Sequence, residues 1–171
     1  MNWTEFNKAA PDLACRGRDL FERVGVLFVG TLRKDGSPRV SGCEFFFFED
    51  DLYLGMMWQS HKALDLLRDP RCYIQSAVID KNVTGGELKL RGRAVEVSDS
   101  DTSERYGRAL KEATGWRPEG PFHLFAMDID GAAFIEYQQN GDQLVIDWRS
   151  GRPSRERLRR WTGSGVVDDQ K

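Results

Sequence analysis

Apolar residues recur at helical spacing through the first 23 positions. Trp3, Phe6, Leu13, Leu20 and Phe21 stand among charged residues, which predicts an amphipathic helical start. Pro11 suits the first turn of a second helix, and Asp12 beside it suits the helix dipole. The period then changes. Residues 24–32 and 39–48 are rich in β-branched and aromatic residues, and Lys34-Asp35-Gly36-Ser37 between them is a tight-turn sequence. Glu49-Asp50-Asp51 makes a further turn into residues 52–58, so the first three strands read as an antiparallel meander.

Ser60 reads as the N-cap of a short helix over residues 62–67, which Asp69-Pro70 ends. Strands are predicted over residues 72–79 and 87–97, the second interrupted by Gly92. A helix follows over residues 101–114, capped by Ser100 or Asp101 and closed by Gly115. Residues 124–129, 132–137 and 144–148 complete the sheet, with Asn140-Gly141 as a hairpin turn. Arginines 149, 152, 155, 157, 159 and 160 read as a solvated terminal helix, with cover for a phosphate site as the other reading. Short strands at regular spacing point to a closed or partly closed β-barrel over residues 1–161, followed by a disordered tail over 162–171.

Composition narrows the function. The chain has 171 residues, 25 Lys plus Arg against 27 Asp plus Glu, and a net charge of −2, which gives no general attraction to nucleic acid or anionic lipid. No apolar run reaches the roughly 20 residues of a membrane helix, and no secretory leader is visible, so cytoplasmic residence is the expectation. Cys15, Cys43 and Cys72 form no CxxC pair, and with two histidines neither a disulfide framework nor a metal centre is expected.

The most informative stretch runs from Leu52 to Lys62. A helix start exposes backbone N–H groups without internal partners. Ser60, His61 and Lys62 add a hydroxyl, a ring donor and a charge, which together make a candidate phosphate seat. An ordinary capped surface helix with an exposed lysine has the same spacing. On the second strand, Arg39 and Ser41 share one face, where Arg39 either holds an anion or a ring carbonyl, or faces solvent beside a turn. The run Phe45 to Phe48 places aromatics on both strand faces, one toward the core and the other toward a covering helix or a second subunit. Cys43 and Cys72 read as buried, inert thiols, and His123 as a hydrogen-bonded strand-edge histidine, with axial haem ligand or general acid as its functional alternatives.

Taken in order, Trp3, Pro11 to Leu13, Gly30 to Ser41, Leu52-Tyr53-Leu54, Ser60 to Ala63, Leu67 to Arg71, Leu90-Arg91-Gly92 and Phe122 to Phe125 resemble the pyridoxamine 5′-phosphate oxidase-like superfamily, the flavin-binding split β-barrels. The resemblance covers most of residues 1–130. It implies a mainly β protein with flanking helices (α+β), an antiparallel split β-barrel forming a homodimer with flavin mononucleotide (FMN) sites at the subunit interface. It places Arg39, Val40 and Ser41 beside the isoalloxazine ring, Gly55, Met56 and Met57 alongside the flavin, and Ser60, His61 and Lys62 at its phosphate.

The implied activity is hydride transfer to or from a small molecule through FMN. A deazaflavin coenzyme, haem, and a flavin- or haem-binding protein without turnover are the alternatives. Two departures stand out. Glu87 occupies the position where the true oxidases carry a flavin-contacting Gln. Their C-terminal Trp and Arg substrate signature is also absent in recognisable form, so vitamin B6 oxidation is not expected.

Overall fold

The computed structural model describes residues 1–169. Its helices are α1 (Trp3–Ala9), α2 (Pro11–Val24), α3 (His61–Arg68) and α4 (Ser100–Thr114). Its strands are β1 (Leu27–Leu32), β2 (Pro38–Cys43), β3 (Phe45–Phe48), β4 (Asp51–Met57), β5 (Arg71–Ser76), β6 (Glu87–Glu96), β7 (Phe122–Tyr137), β8 (Gln143–Arg149), β9 (Arg155–Trp161) and β10 (Val166–Asp168). All described pairings are antiparallel, in the order β10-β9-β8-β7-β6-β5-β1-β2, with β3 and β4 joined to β7 through β4.

The barrel curls because β7 serves two neighbours on one edge. Its first half pairs with β4, from Met57↔Phe122 to Tyr53↔Ala126, and its second half with β8, from Gly131↔Arg149 to Tyr137↔Gln143. No ladder joins β2 to β3 or β4, so the cylinder is split there. Inside lie Leu27, Val29, Leu54, Ile74, Leu90, Phe125 and Ile129, all buried. Trp3 and Phe6 of α1 and Leu13 and Phe21 of α2 pack onto the same core.

Asn2 caps α1 in a reciprocal box with Glu5. Asn2→Ala is expected to cost about 1 kcal/mol in urea unfolding; no measurable loss would mean the cap contributes nothing to the α1 dock.

Four sequence expectations are corrected. Residues 39–48 are not one strand: β1 has run out of partners at Leu27↔Cys43, and beyond Glu44 the chain pairs with β4 instead. The first strands therefore form two hairpins rather than a meander. Residues 124–129 and 132–137 belong to one strand, β7, whose pairing with β6 shifts register between Arg91 and Gly92. Gly92 permits that bulge, because a Cβ there would stand 2.0 Å from the Asp128 carbonyl oxygen. The C-terminal arginines form β9, paired with β8, and not a helix. Part of the stretch expected to be disordered is β10, whose Asp168 bonds Arg159 at 3.0 Å; residues 170–171 lie outside the described residues.

Register sets which way β2 points. Arg39 and Ser41 lie opposite Thr31 and Val29, both buried, and so share the inner face. Val40 points outward. The four phenylalanines divide in the same way. Phe45 and Phe47 join the barrel core near Phe21 and Trp3, while Phe46 and Phe48 meet Tyr106, so the covering element is α4.

Candidate cofactor site

β4 ends at Met57, and a left-handed Gln59 (φ 59°) turns the chain into α3, with the Ser60 N–H donating to the Met57 carbonyl at 3.1 Å. Ser60 stands at the N-cap, yet its side chain makes no capping bond. Its hydroxyl oxygen is sealed from solvent and has no partner among the described residues. The first turn of α3 thus keeps unpartnered N–H groups at the positive end of its dipole. Lys62 is fixed beside it, donating from Nζ to the Gly42 carbonyl at 2.6 Å, while His61 is exposed.

A hollow lies on each side of this helix start. The smaller, about 470 Å³, sits between α3 and the β1–β2 turn and is lined by Arg33, Lys34, Arg39, His61 and Arg68 with Asp35 and Asp65. The larger, about 940 Å³, lies between β4, the end of β2, α4 and the segment after it. Gly55, Met56, Met57 and Lys62 line it. Arg39 and Val40 border a third, outward hollow floored by Gly30, and Ser41 faces inward. The structure therefore brings Arg39 together with His61, and Lys62 with Gly55–Met57, but places these groups on opposite sides of α3.

Asp65, absent from the sequence-based candidates, organises the cationic side. It is 4% exposed and accepts from Arg39 Nε at 2.7 Å, Thr31 Oγ1 at 3.0 Å and Arg68 Nη2 at 3.2 Å. Burial alone would raise its pKa, but the bonds from Arg39, Thr31 and Arg68 outweigh burial and hold the carboxyl below its ordinary value. A depressed folded pKa contributes stability that is complete above the unfolded value and is lost as pH falls through the folded one. Stability is therefore expected to fall below about pH 4, where an unfolded Asp takes up its proton. Asp65→Asn is expected to flatten that part of the profile; an unchanged acid limb in pH-dependent urea unfolding would contradict this.

The remaining polar candidates fall into place. Glu87 is not a bare carboxylate: Lys89 Nζ donates to it at 2.5 Å, Gln75 at 3.0 Å and the Tyr137 hydroxyl at 3.2 Å. His123 is buried, stacked on Trp58 with centroids 4.4 Å apart, and its Nε2 has no partner. The Trp58 indole covers one face of its ring, and the ring edge is buried within the protein. Burial pushes the Cys43 thiol up to about 11 and the Cys72 thiol to about 12, so neither is a thiolate at neutral pH. Among the described residues no cluster of His, Cys, Asp and Glu could hold a metal, and no helix is long and apolar enough to cross a membrane.

Residues 16–136 match the family model described as pyridoxamine 5′-phosphate oxidase. The chain belongs to the pyridoxamine 5′-phosphate oxidase family. Members of this family commonly bind flavin, and the split barrel described above is the family's fold.

Solved structures share that fold. ChuZ from Campylobacter jejuni superposes with a TM-score of 0.61 at 15% identity, covering 78% of this chain and 58% of its own. A Clostridium acetobutylicum protein related to general stress protein 26, of the pyridoxinephosphate oxidase family, gives 0.57 at 14% identity, covering 78% of this chain and 91% of its own. A nimc/nima family protein from the same organism gives 0.54 at 14%, covering 82% and 88%. At such identities the likeness shows the fold alone. Comparison with curated proteins finds no match.

Proposed function

We propose that this member of the pyridoxamine 5′-phosphate oxidase family binds FMN, with the phosphate at the start of α3, and works as an oxidoreductase on a small molecule. The observation that carries this reading is the uncapped first turn of α3, with the sealed and unpartnered Ser60 hydroxyl in it and Lys62 fixed beside it. Free N–H groups, a helix dipole and a lysine charge suit a phosphate monoester. His61 adds a further donor, and Arg39, which shares the smaller hollow with His61, adds charge on that side. Met57 and Trp58, at the end of β4, offer flat apolar surface for a ring.

When bound, the flavin would supply hydride transfer at its N5. The chain's own residues hold the phosphate, orient the ring and keep water from the apolar cavity. Asp65 keeps the Arg39 guanidinium in place through its 2.7 Å bond to Nε. No protein nucleophile is required, which agrees with the protonated state of the Cys43 and Cys72 thiols.

The working unit in this reading is a homodimer. Phe28, Val40 and Tyr73 are 41%, 71% and 44% exposed on the outer face of β1, β2 and β5, an apolar face of the kind that marks an interface. With a net charge of −2, neither nucleic acid nor membrane is a partner in this reading. The substrate is a small molecule, and the site of action is the cytoplasm.

Denaturing extraction of the purified protein followed by mass spectrometry tests the proposal. FMN in the extract supports it, particularly if NADPH bleaches the bound flavin and a substrate restores its colour. A deazaflavin would keep the phosphate seat and change the coenzyme. Haem, or an empty protein that takes up no added FMN, would contradict the proposal.

A further inference from the structure

A carboxylate is buried on the outside of the barrel. Leu88 and Leu90 of β6 point into the core, so Glu87 and Lys89 face outward, yet Glu87 is only 7% exposed. A buried charge is costly unless it is paired and hydrogen-bonded, and here it is both. Lys89 Nζ donates to it at 2.5 Å, Gln75 Nε2 at 3.0 Å and the Tyr137 hydroxyl at 3.2 Å. Burial raises the Tyr137 pKa, and Glu87 raises it further, so that hydroxyl keeps its proton and stays a donor. What this network fixes is the Gln75 amide. A carboxylate only accepts, so the amide turns its NH2 end to Glu87. Its carbonyl oxygen is the unspent end, and no group among the described residues donates to it.

Gln75 lines the outward hollow over β1, β2 and β5, whose volume of about 640 Å³ is within the range of small-molecule sites. The register gives its shape. Gly30 stands between Val40 on one strand and Tyr73 on the other. Two residues earlier on β1, Phe28 stands opposite Gln75. A bare glycine between two larger side chains makes a slot, with the amide beside Phe28 at one end. Such a slot suits a flat ring. Both arginines of the lining are already paired within the chain, Arg39 with Asp65 at 2.7 Å and Arg71 with Asp69 at 2.6 Å. The hollow therefore offers no unpaired charge, and its fixed hydrogen-bonding group is an acceptor.

We infer that Gln75, oriented by Glu87, selects the ligand of this hollow: a flat ring that presents an N–H donor, as a lactam or an imide does. Glu87 is a positioning residue, acting through Gln75. Two sources carry that chemistry, the imide N–H of a flavin ring and a separate small molecule. The first rests on the FMN reading; selection by Gln75 does not. The proposed homodimer would roof the hollow with a second copy.

The test uses the full chain freed of coenzyme, with equilibrium dialysis against two pairs of probes. One pair is lumiflavin, a flavin ring without the phosphate chain, and 3-methyllumiflavin, which lacks the imide N–H. The other is 2-quinolone and N-methyl-2-quinolone. The N–H member of at least one pair is expected to bind about 3- to 10-fold tighter than its methylated twin, the scale of one hydrogen bond. Preference within the flavin pair assigns the hollow to the coenzyme ring, and preference within the quinolone pair alone assigns it to a separate ligand. Gln75→Leu should remove the preference and leave the methylated twin's affinity unchanged, which also reports that the variant is folded. Glu87→Gln should reduce the preference while Gln75 is still present, because an amide at 87 can face either end of the Gln75 amide; a merely structural role would shift both twins alike. A preference that survives Gln75→Leu, no preference in either pair, or failure of all four probes to bind would overturn the inference. No probe carries a phosphate. Lumiflavin binding without preference would therefore sink the inference and leave the FMN reading standing. A quinolone preference in a protein that takes up no FMN would do the reverse.

Discussion

Asp65→Ala is expected to destabilise the protein by about 3 kcal/mol, the lower end of the range for removing one partner of a buried ion pair. Asp65 is the point where β1, β2 and α3 meet: Thr31, Arg39 and Arg68 all donate to its carboxylate. Without it, the Arg39 side chain, 23% exposed, keeps its charge and loses its anchor. Urea unfolding of the variant beside the parent protein checks this. A loss under about 1 kcal/mol would place the pair with exposed ion pairs, which contribute little. Arg39 should also lose its fixed position next to His61, so FMN affinity is expected to weaken together with stability.

Lys62→Ala is expected to leave the fold intact and to weaken FMN binding by about 1.5–3 kcal/mol, the scale of a charge-assisted hydrogen bond. That is a loss on the order of 10- to 150-fold in affinity. The Lys62 side chain bonds only the Gly42 carbonyl, an exposed contact, so its removal leaves no buried group unsatisfied. Calorimetric titration of the coenzyme-free variant reads the effect. Unchanged affinity would remove Lys62 from the site, and a collapse of thermal stability would show that its bond to Gly42 is structural instead.

Local chemistry made much of this fold legible. Gly36, the Asn140-Gly141 turn and the alternation through β4 and β6 announce strands and turns directly, and Pro11 starts α2 as its fixed φ suits. What stayed hidden depends on partners far along the chain. The break at Glu44 is invisible within a continuous run of strand-forming residues, because it follows from where β1 ends. The arginines of β9 carry a helix-like charge pattern, and only β8 on one side and β10 on the other, with Asp168 meeting Arg159, make them a strand.

The site divides in the same way. Ser60-His61-Lys62 stands out at a helix start read from the sequence. Asp65 looks like one more polar residue on a helix, and its role appears only when Arg39, 26 residues away, folds against it.

The central claim is that the start of α3 grips a phosphate. Titrating coenzyme-free protein with FMN and with riboflavin, which has the same ring and no phosphate, tests that claim most directly. FMN should bind at least 10-fold tighter, with Lys62→Ala closing most of the gap. Equal affinities for the two would contradict it, because the ring alone would then account for binding.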